Sequence, residues 1–180
     1  PLLFAVRNGY KDTADALIAH GANVNDVAPD GTSALNMAVL NAYFEVAIPP
    51  VVHSHGGDID RIIGDAIMAT FNRRGDQPDD HARRAAAAAL ALQEATAEVA
   101  DRNPGWPRFR AAVNSGEVNL SLLGAGGGLT HTVIGDTVNV ASRLEAETKR
   151  RRCMLVVSSA CARAAALDLS RFPEHTVTVR

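Results

Sequence analysis

Thr132-Val133-Ile134-Gly135-Asp136-Thr137-Val138-Asn139-Val140-Ala141-Ser142-Arg143-Leu144-Glu145 is the stretch on which the reading of this chain turns. A strand runs into a helix here, and on the helix, predicted over residues 137–149, Asn139 and Arg143 stand at i and i+4 on one face. An amide that can orient a sugar hydroxyl and a guanidinium that can fork onto a phosphate then point at one ligand. An ordinary structural use of the same residues stands beside that one. Asn139 can cap the helix, and Arg143 can pair with Glu147 on a wet surface.

Outward from that stretch, strands and helices alternate. Residues 58–63 and 66–71 predict two short strands meeting at Gly64-Asp65, a dipeptide suited to a tight hairpin. Residues 79–99 predict a long helix that starts at Asp79-Asp80 and buries a stripe of Ala86, Leu90, Ala91 and Ala97. Asn103-Pro104-Gly105 ends it. Strands follow at 109–113 and 117–123, then a glycine-rich connection over 124–128, a strand at 154–158 and a helix at 160–166. This order predicts an α+β domain, a sheet with helices on one face.

Arg61 stands four positions before Asp65 near the hairpin tip. A carboxylate there suits magnesium, which takes one or two carboxylates and leaves its other positions to water and phosphate oxygens. A solvated Gly-Asp turn explains the same dipeptide. The glycines at 124–128 lack the lysine and serine or threonine of a P-loop and read as a hairpin connection.

Eighteen basic and twenty acidic side chains leave a formal charge of −2, so no overall field draws the chain to nucleic acid or an anionic membrane. Any phosphate site must be local. Cys153 and Cys161 are too few for a disulfide framework or a zinc cluster and read as buried or idle thiols. No window approaches the ~18–20 consecutive apolar residues of a membrane span. The sequence opens at Pro1 without a signal pattern and reads as a fragment whose start lies upstream.

Shifted by 33 positions, Leu2, Ala5, Val6, Asn8, Tyr10 and Ala14 fall on Leu35, Ala38, Val39, Asn41, Tyr43 and Ala47. This period, with Gly21-Ala22-Asn23-Val24-Asn25 and the turn Asp30-Gly31, resembles the ankyrin repeat over residues 1–47. Asn8-Gly9 is expected to end one helix, residues 13–20 to form the next, and Gly21 to stop it in the left-handed region. The second copy meets Ile48-Pro49-Pro50, where its helix is expected to fail.

From 48 onward the ordered set decides the matter: His55-Gly56-Gly57, Ile63-Gly64-Asp65-Ala66-Ile67-Met68-Ala69-Thr70-Phe71, Asp80-His81-Ala82, Asn114-Ser115-Gly116-Glu117-Val118, and Thr132 through Glu145. Together these resemble the class III adenylate and guanylate cyclase catalytic domain, over residues 48–180. The resemblance implies a ferredoxin-like sheet, and a reaction in which the ribose 3′-hydroxyl of ATP attacks the α-phosphorus and expels pyrophosphate, assisted by two magnesium or manganese ions. By position, Asp65 resembles the second metal-binding aspartate, Asn139 the ribose-orienting asparagine, and Arg143 the arginine that stabilises the transition-state phosphate.

Where adenylate cyclases usually carry a lysine that reads adenine this chain has Arg61, and at the companion aspartate-or-threonine position it has Thr132. Arginine keeps the charge but replaces a point donor with a planar fork. The glutamate expected of a guanylate cyclase is absent from that position. The family builds each site between two subunits, so a homodimer with two equivalent sites is implied. The first strand of the family, with the other metal aspartate, is not in this sequence; ankyrin-like residues stand in its place. The resemblance therefore carries two readings: an adenylate cyclase of intracellular signalling in the cytoplasm, or an inactive cyclase-derived module that dimerises or binds nucleotide while the ankyrin-like part meets a protein partner.

Overall fold

The computed structural model describes residues 1–8, 10–29, 31–63, 66–72, 79–123 and 130–177. Two compact units divide the chain, Pro1–Pro49 and Pro50–Arg180.

In the first unit, helices α1 (Leu2–Arg7), α2 (Lys11–Ala19) and α3 (Ala34–Asn41) pack with α1 against both of the others. Leu2, Ala5 and Ala14 are buried together, with Val6, Leu17 and Ala22 beside them. Gly21, at φ +89°, closes α2 as its position in the repeat requires, and the Ala22 amide donates back to the Leu17 carbonyl at 2.9 Å. Ser33 caps α3 by accepting from the Asn36 amide at 3.2 Å. Gly9 and Asp30, named in the repeat pattern, lie outside the described residues.

The prolines do not stop the helix. A π-helical turn, Ala42–Ala47, follows α3, and α4 (Ile48–Ser54) contains Pro49 and Pro50. In the π register each amide reaches five residues back. The two prolines follow directly on that turn, where the regular α register has already been interrupted. The stretch Ala34–Ser54, 21 residues of mean hydropathy 1.3, is therefore long and apolar enough to cross a membrane by length and composition, which a search for uninterrupted apolar residues does not detect. Its first part, α3, packs on α1 as a helix of a folded unit does.

In the second unit, β1 (Gly57–Ile63) and β2 (Ala66–Phe71) form the expected antiparallel hairpin. Helix α5 (His81–Arg102) follows, then β3 (Ala111–Val113), β4 (Asn119–Leu123), β5 (Thr130–Ile134), α6 (Asp136–Arg151), β6 (Leu155–Val157) and α7 (Ser159–Ala164). The sheet is assembled as three two-stranded ladders: β1 with β2, β4 with β5, both antiparallel, and β3 with β6, parallel. Among the described residues no strand precedes β1, and no ladder joins β2 to β3. Helix α5 lies across β2, β3 and β6 alike.

Alanines let α5 approach closely: Ala82, Ala86, Ala88, Ala89, Thr96 and Ala100 are buried. Ala82 and Ala89 join Val113 of β3 with Cys161 and Ala165 around α7 in one core cluster. The buried stripe differs from the expected one, since Leu90 is 60% exposed. Ala86 is buried as expected, while Ala89 and Thr96 hold the buried positions in place of Leu90 and Ala97, because a run of alanines lacks the hydrophobic contrast that reveals periodicity. Arg84 secures the start of the hairpin, its Nη1 donating to the carbonyls of His55 at 3.2 Å and Gly56 at 2.8 Å while its Nε holds Asp80 at 2.7 Å. That contact accounts for Asp80 making no side-chain cap of its own helix.

Candidate nucleotide site

Where β5 runs into α6, the backbone turns at Gly135, φ +144°, a conformation that an L side chain rarely adopts. The Val138 and Asn139 amides donate to the Gly135 carbonyl at 3.1 and 3.3 Å and begin the helix. The loop after β3 buttresses this turn. Asn114 Nδ2 donates to the Thr137 carbonyl at 2.9 Å, and the Thr137 hydroxyl donates to the Glu117 carbonyl at 2.6 Å. A Cβ on Gly116 would lie 2.7 Å from Thr137 Oγ1, so this glycine allows the close approach. His81 Nε2 meets Ser115 Oγ at 3.2 Å and ties the same loop to the start of α5. The Asn114-Ser115-Gly116-Glu117 motif thus works through its packing: it sets the position of α6.

Between the β1–β2 hairpin and this turn lies a pocket of about 230 Å³, lined by Arg61, Ile63, Met68, Val133, Ile134, Gly135, Val138 and Asn139. Arg61 and Asn139 are therefore brought to one cavity. One turn further along α6, Arg143 is exposed, on the same helix face as Asn139. The structural alternatives for these two residues are not realised: Gly135 holds the cap position, and Glu147 pairs with Arg150 at 2.7 Å and Arg151 at 3.3 Å. Among the described residues no ion pair involves Arg143.

Thr132 is fully buried and does not line the pocket. Its hydroxyl donates to Asp60 Oδ2 at 2.7 Å, and Arg61 Nε donates to the same oxygen at 3.2 Å. Asp60, a residue that sequence reasoning did not single out, joins the two. It is one of two acidic residues in β1, beside Asp58, and simple alternation gives Asp60 and Arg61 opposite faces. The structure has a register shift between Ile59 and Arg61 that breaks the alternation.

Asp65, the candidate metal ligand, lies outside the described residues, as does the glycine-rich connection at 124–128. Among the described residues no group of three or more histidine, cysteine, aspartate or glutamate side chains is placed to hold a metal ion. The described residues therefore do not make a metal centre by themselves, and no step is derived through one.

The fold is shared with solved nucleotide cyclases. The guanylyl cyclase Cya2 aligns with a TM-score of 0.56 at 30% identity, over 71% of this chain and 64% of that one. The adenylyl cyclase CyaB from P. aeruginosa shares the fold with a TM-score of 0.61 at 19% identity, over 87% of this chain and 75% of that one. The family model for the adenylate and guanylate cyclase catalytic domain matches residues 37–172, and the chain belongs to that family.

A second model, for ankyrin repeats, matches residues 2–48 and overlaps the first at 37–48. Adenylate cyclase 1 of Rhizobium meliloti (strain 1021) is 35% identical over 128 residues, which make up 69% of this chain and 19% of that protein. The adenylate cyclase of Anabaena cylindrica is 33% identical over 132 residues, 69% of this chain and 25% of that protein. The chain thus spans a fifth to a quarter of these curated relatives.

Proposed function

We propose that the chain is the cyclase part of an adenylate cyclase, converting ATP to 3′,5′-cyclic AMP and pyrophosphate, with residues 48–180 as the catalytic domain and residues 1–47 as an ankyrin-type segment for a protein partner. The observation that carries this reading is the shared pocket of Arg61 and Asn139, with Arg143 one turn on along the same helix face. At about 230 Å³ it is smaller than the ~300–1,000 Å³ of a full small-molecule site. It has room for the base end of a nucleotide, with the phosphates lying outward along α6.

In this reading Arg61 donates to the base, and the Asn139 amide orients the ribose so that the 3′-hydroxyl faces the α-phosphorus. Arg143 neutralises charge that builds on the phosphate as the 3′ oxygen attacks and pyrophosphate leaves. Such positioning and fixed charge are large catalytic effects. Divalent metal ions are normal for the family, and in this chain the ligand proposed is Asp65. The groups gathered here form one side of a site, so the second side is assigned to another copy of the chain in a homodimer.

Cyclic AMP formation from ATP, with GTP tested in parallel and magnesium or manganese supplied, checks the proposal. Product that is lost in both Asp65→Ala and Arg143→Ala supports it, as does specific activity that rises with protein concentration over the dimerisation range. A chain that binds ATP and forms no cyclic product would instead be a nucleotide-binding module derived from a cyclase.

A further inference from the structure

We propose that Asp60 is a positioning residue that sets the base selectivity of this pocket, an inference that rests on the reading of the pocket as a purine site. Its side chain is 0% exposed, although a carboxylate is costly to bury unless it is hydrogen-bonded. Asp60 lies where β1 slips register against β2 between Ile59 and Arg61, an irregularity that re-aims side chains. Two residues from different strands converge on its Oδ2: the Thr132 hydroxyl from β5 at 2.7 Å and Arg61 Nε from β1 itself at 3.2 Å.

The consequence for Arg61 is geometric. A guanidinium is planar and donates through every nitrogen, and it has no acceptor. With Nε committed to Asp60, the plane of the group is fixed, and its two terminal nitrogens are the part free to serve the pocket that Arg61 lines. Purines differ at their edges in the order of donors and acceptors. A donor pair held in one orientation distinguishes those edges, whereas an arginine free to change rotamer adapts to either.

Thr132 serves the same end indirectly. Being wholly buried, it does not line the pocket; its single hydroxyl proton is given to Asp60, which holds the carboxylate between β1 and β5. Asp60 therefore acts through Arg61, and neither it nor Thr132 is assigned contact with the base.

The test compares ATP with GTP on the full chain, as kcat/KM and separately as binding affinity by calorimetry, for the wild type, Asp60→Asn, Arg61→Met and the double variant. Asp60→Asn keeps the shape and removes the charge. The expected result is a fall of about tenfold in the selectivity ratio, carried by KM with kcat nearly kept. Arg61→Met, which keeps the stem and removes every donor, should lose the same selectivity, and the double variant should lose no more than Arg61→Met alone.

A merely structural role would lower both nucleotides equally and add to the Arg61→Met effect, and that outcome overturns the proposal. Should Asp60→Asn fail to fold, Arg61→Met decides alone: unchanged selectivity in that variant overturns it. Selective binding that Asp60→Asn erases, without any cyclic product, would remove the proposed reaction and leave the role of Asp60 standing. A wild type that binds the two nucleotides equally, or neither, would remove the role.

Discussion

The two ends of the candidate site are held in opposite ways. At the base end, Arg61 leans on a buried carboxylate that also receives Thr132, so its orientation is determined within the unit. At the phosphate end, Asn139 and Arg143 stand exposed on α6, and what is fixed there is the helix, through the Asn114, Gly116 and Thr137 contacts at its start. The difference teaches where each function is stored. In the proposed site, recognition of the base would be prearranged by side chains, whereas charge stabilisation would depend on a backbone platform and on whatever is brought to it.

The strongest way to break this comparison is Arg143→Ala. Cyclic nucleotide formation should fall by about 10²–10³-fold, the scale for losing one preorganised transition-state donor, while the melting temperature stays nearly unchanged because the side chain is exposed. A large fall in melting temperature would mean that Arg143 supports the fold as well. Thr132→Val should show the reverse. It leaves a buried carboxylate one donor short and should cost about 1–3 kcal/mol in urea unfolding, with the exposed face of α6 unaffected.

Gly135→Ala sharpens the platform argument. A side chain at φ +144° should cost about 1–3 kcal/mol and displace α6, lowering the affinity for ATP along with stability. The smallest effect is expected at the cysteines. Burial raises the pKa of Cys161, whose thiol faces the Ala82 carbonyl at 3.7 Å, and Cys153 is partly exposed. A thiol reagent should label Cys153 first. A raised folded-state pKa favours folding below the ordinary thiol value, and that contribution should be lost as pH rises through the folded value. A stability-versus-pH profile that bends downward there, and straightens in Cys161→Ala, would confirm it.

The spacing of Asn139 and Arg143 put them on one helix face, whereas Arg61 was singled out as a base-reading residue only through the resemblance to the cyclase family. Asp60 was not legible. A bulge inverts the facing that strand alternation assigns, and nothing in the letters Asp-Ile-Asp-Arg announces a bulge. The strands and helices of the second unit were read close to their observed bounds, since turns of glycine, proline and asparagine separate them. Pro49 and Pro50 marked an irregularity and not an end: a π turn stands immediately before them and the helical path continues through α4. The phase of α5 was hidden by its alanines.

The three separate ladders carry a consequence for how the chain handles its own backbone in solution. Each described strand has one partner, so each presents one side with amides and carbonyls outside a ladder. In deuterated solvent these strands should exchange in an alternating pattern, fast and slow amides by turns, while the buried turns of α5 exchange last. Such edges also recruit other strands, so the tendency of this chain to self-associate as its concentration rises should be set by these open strand sides.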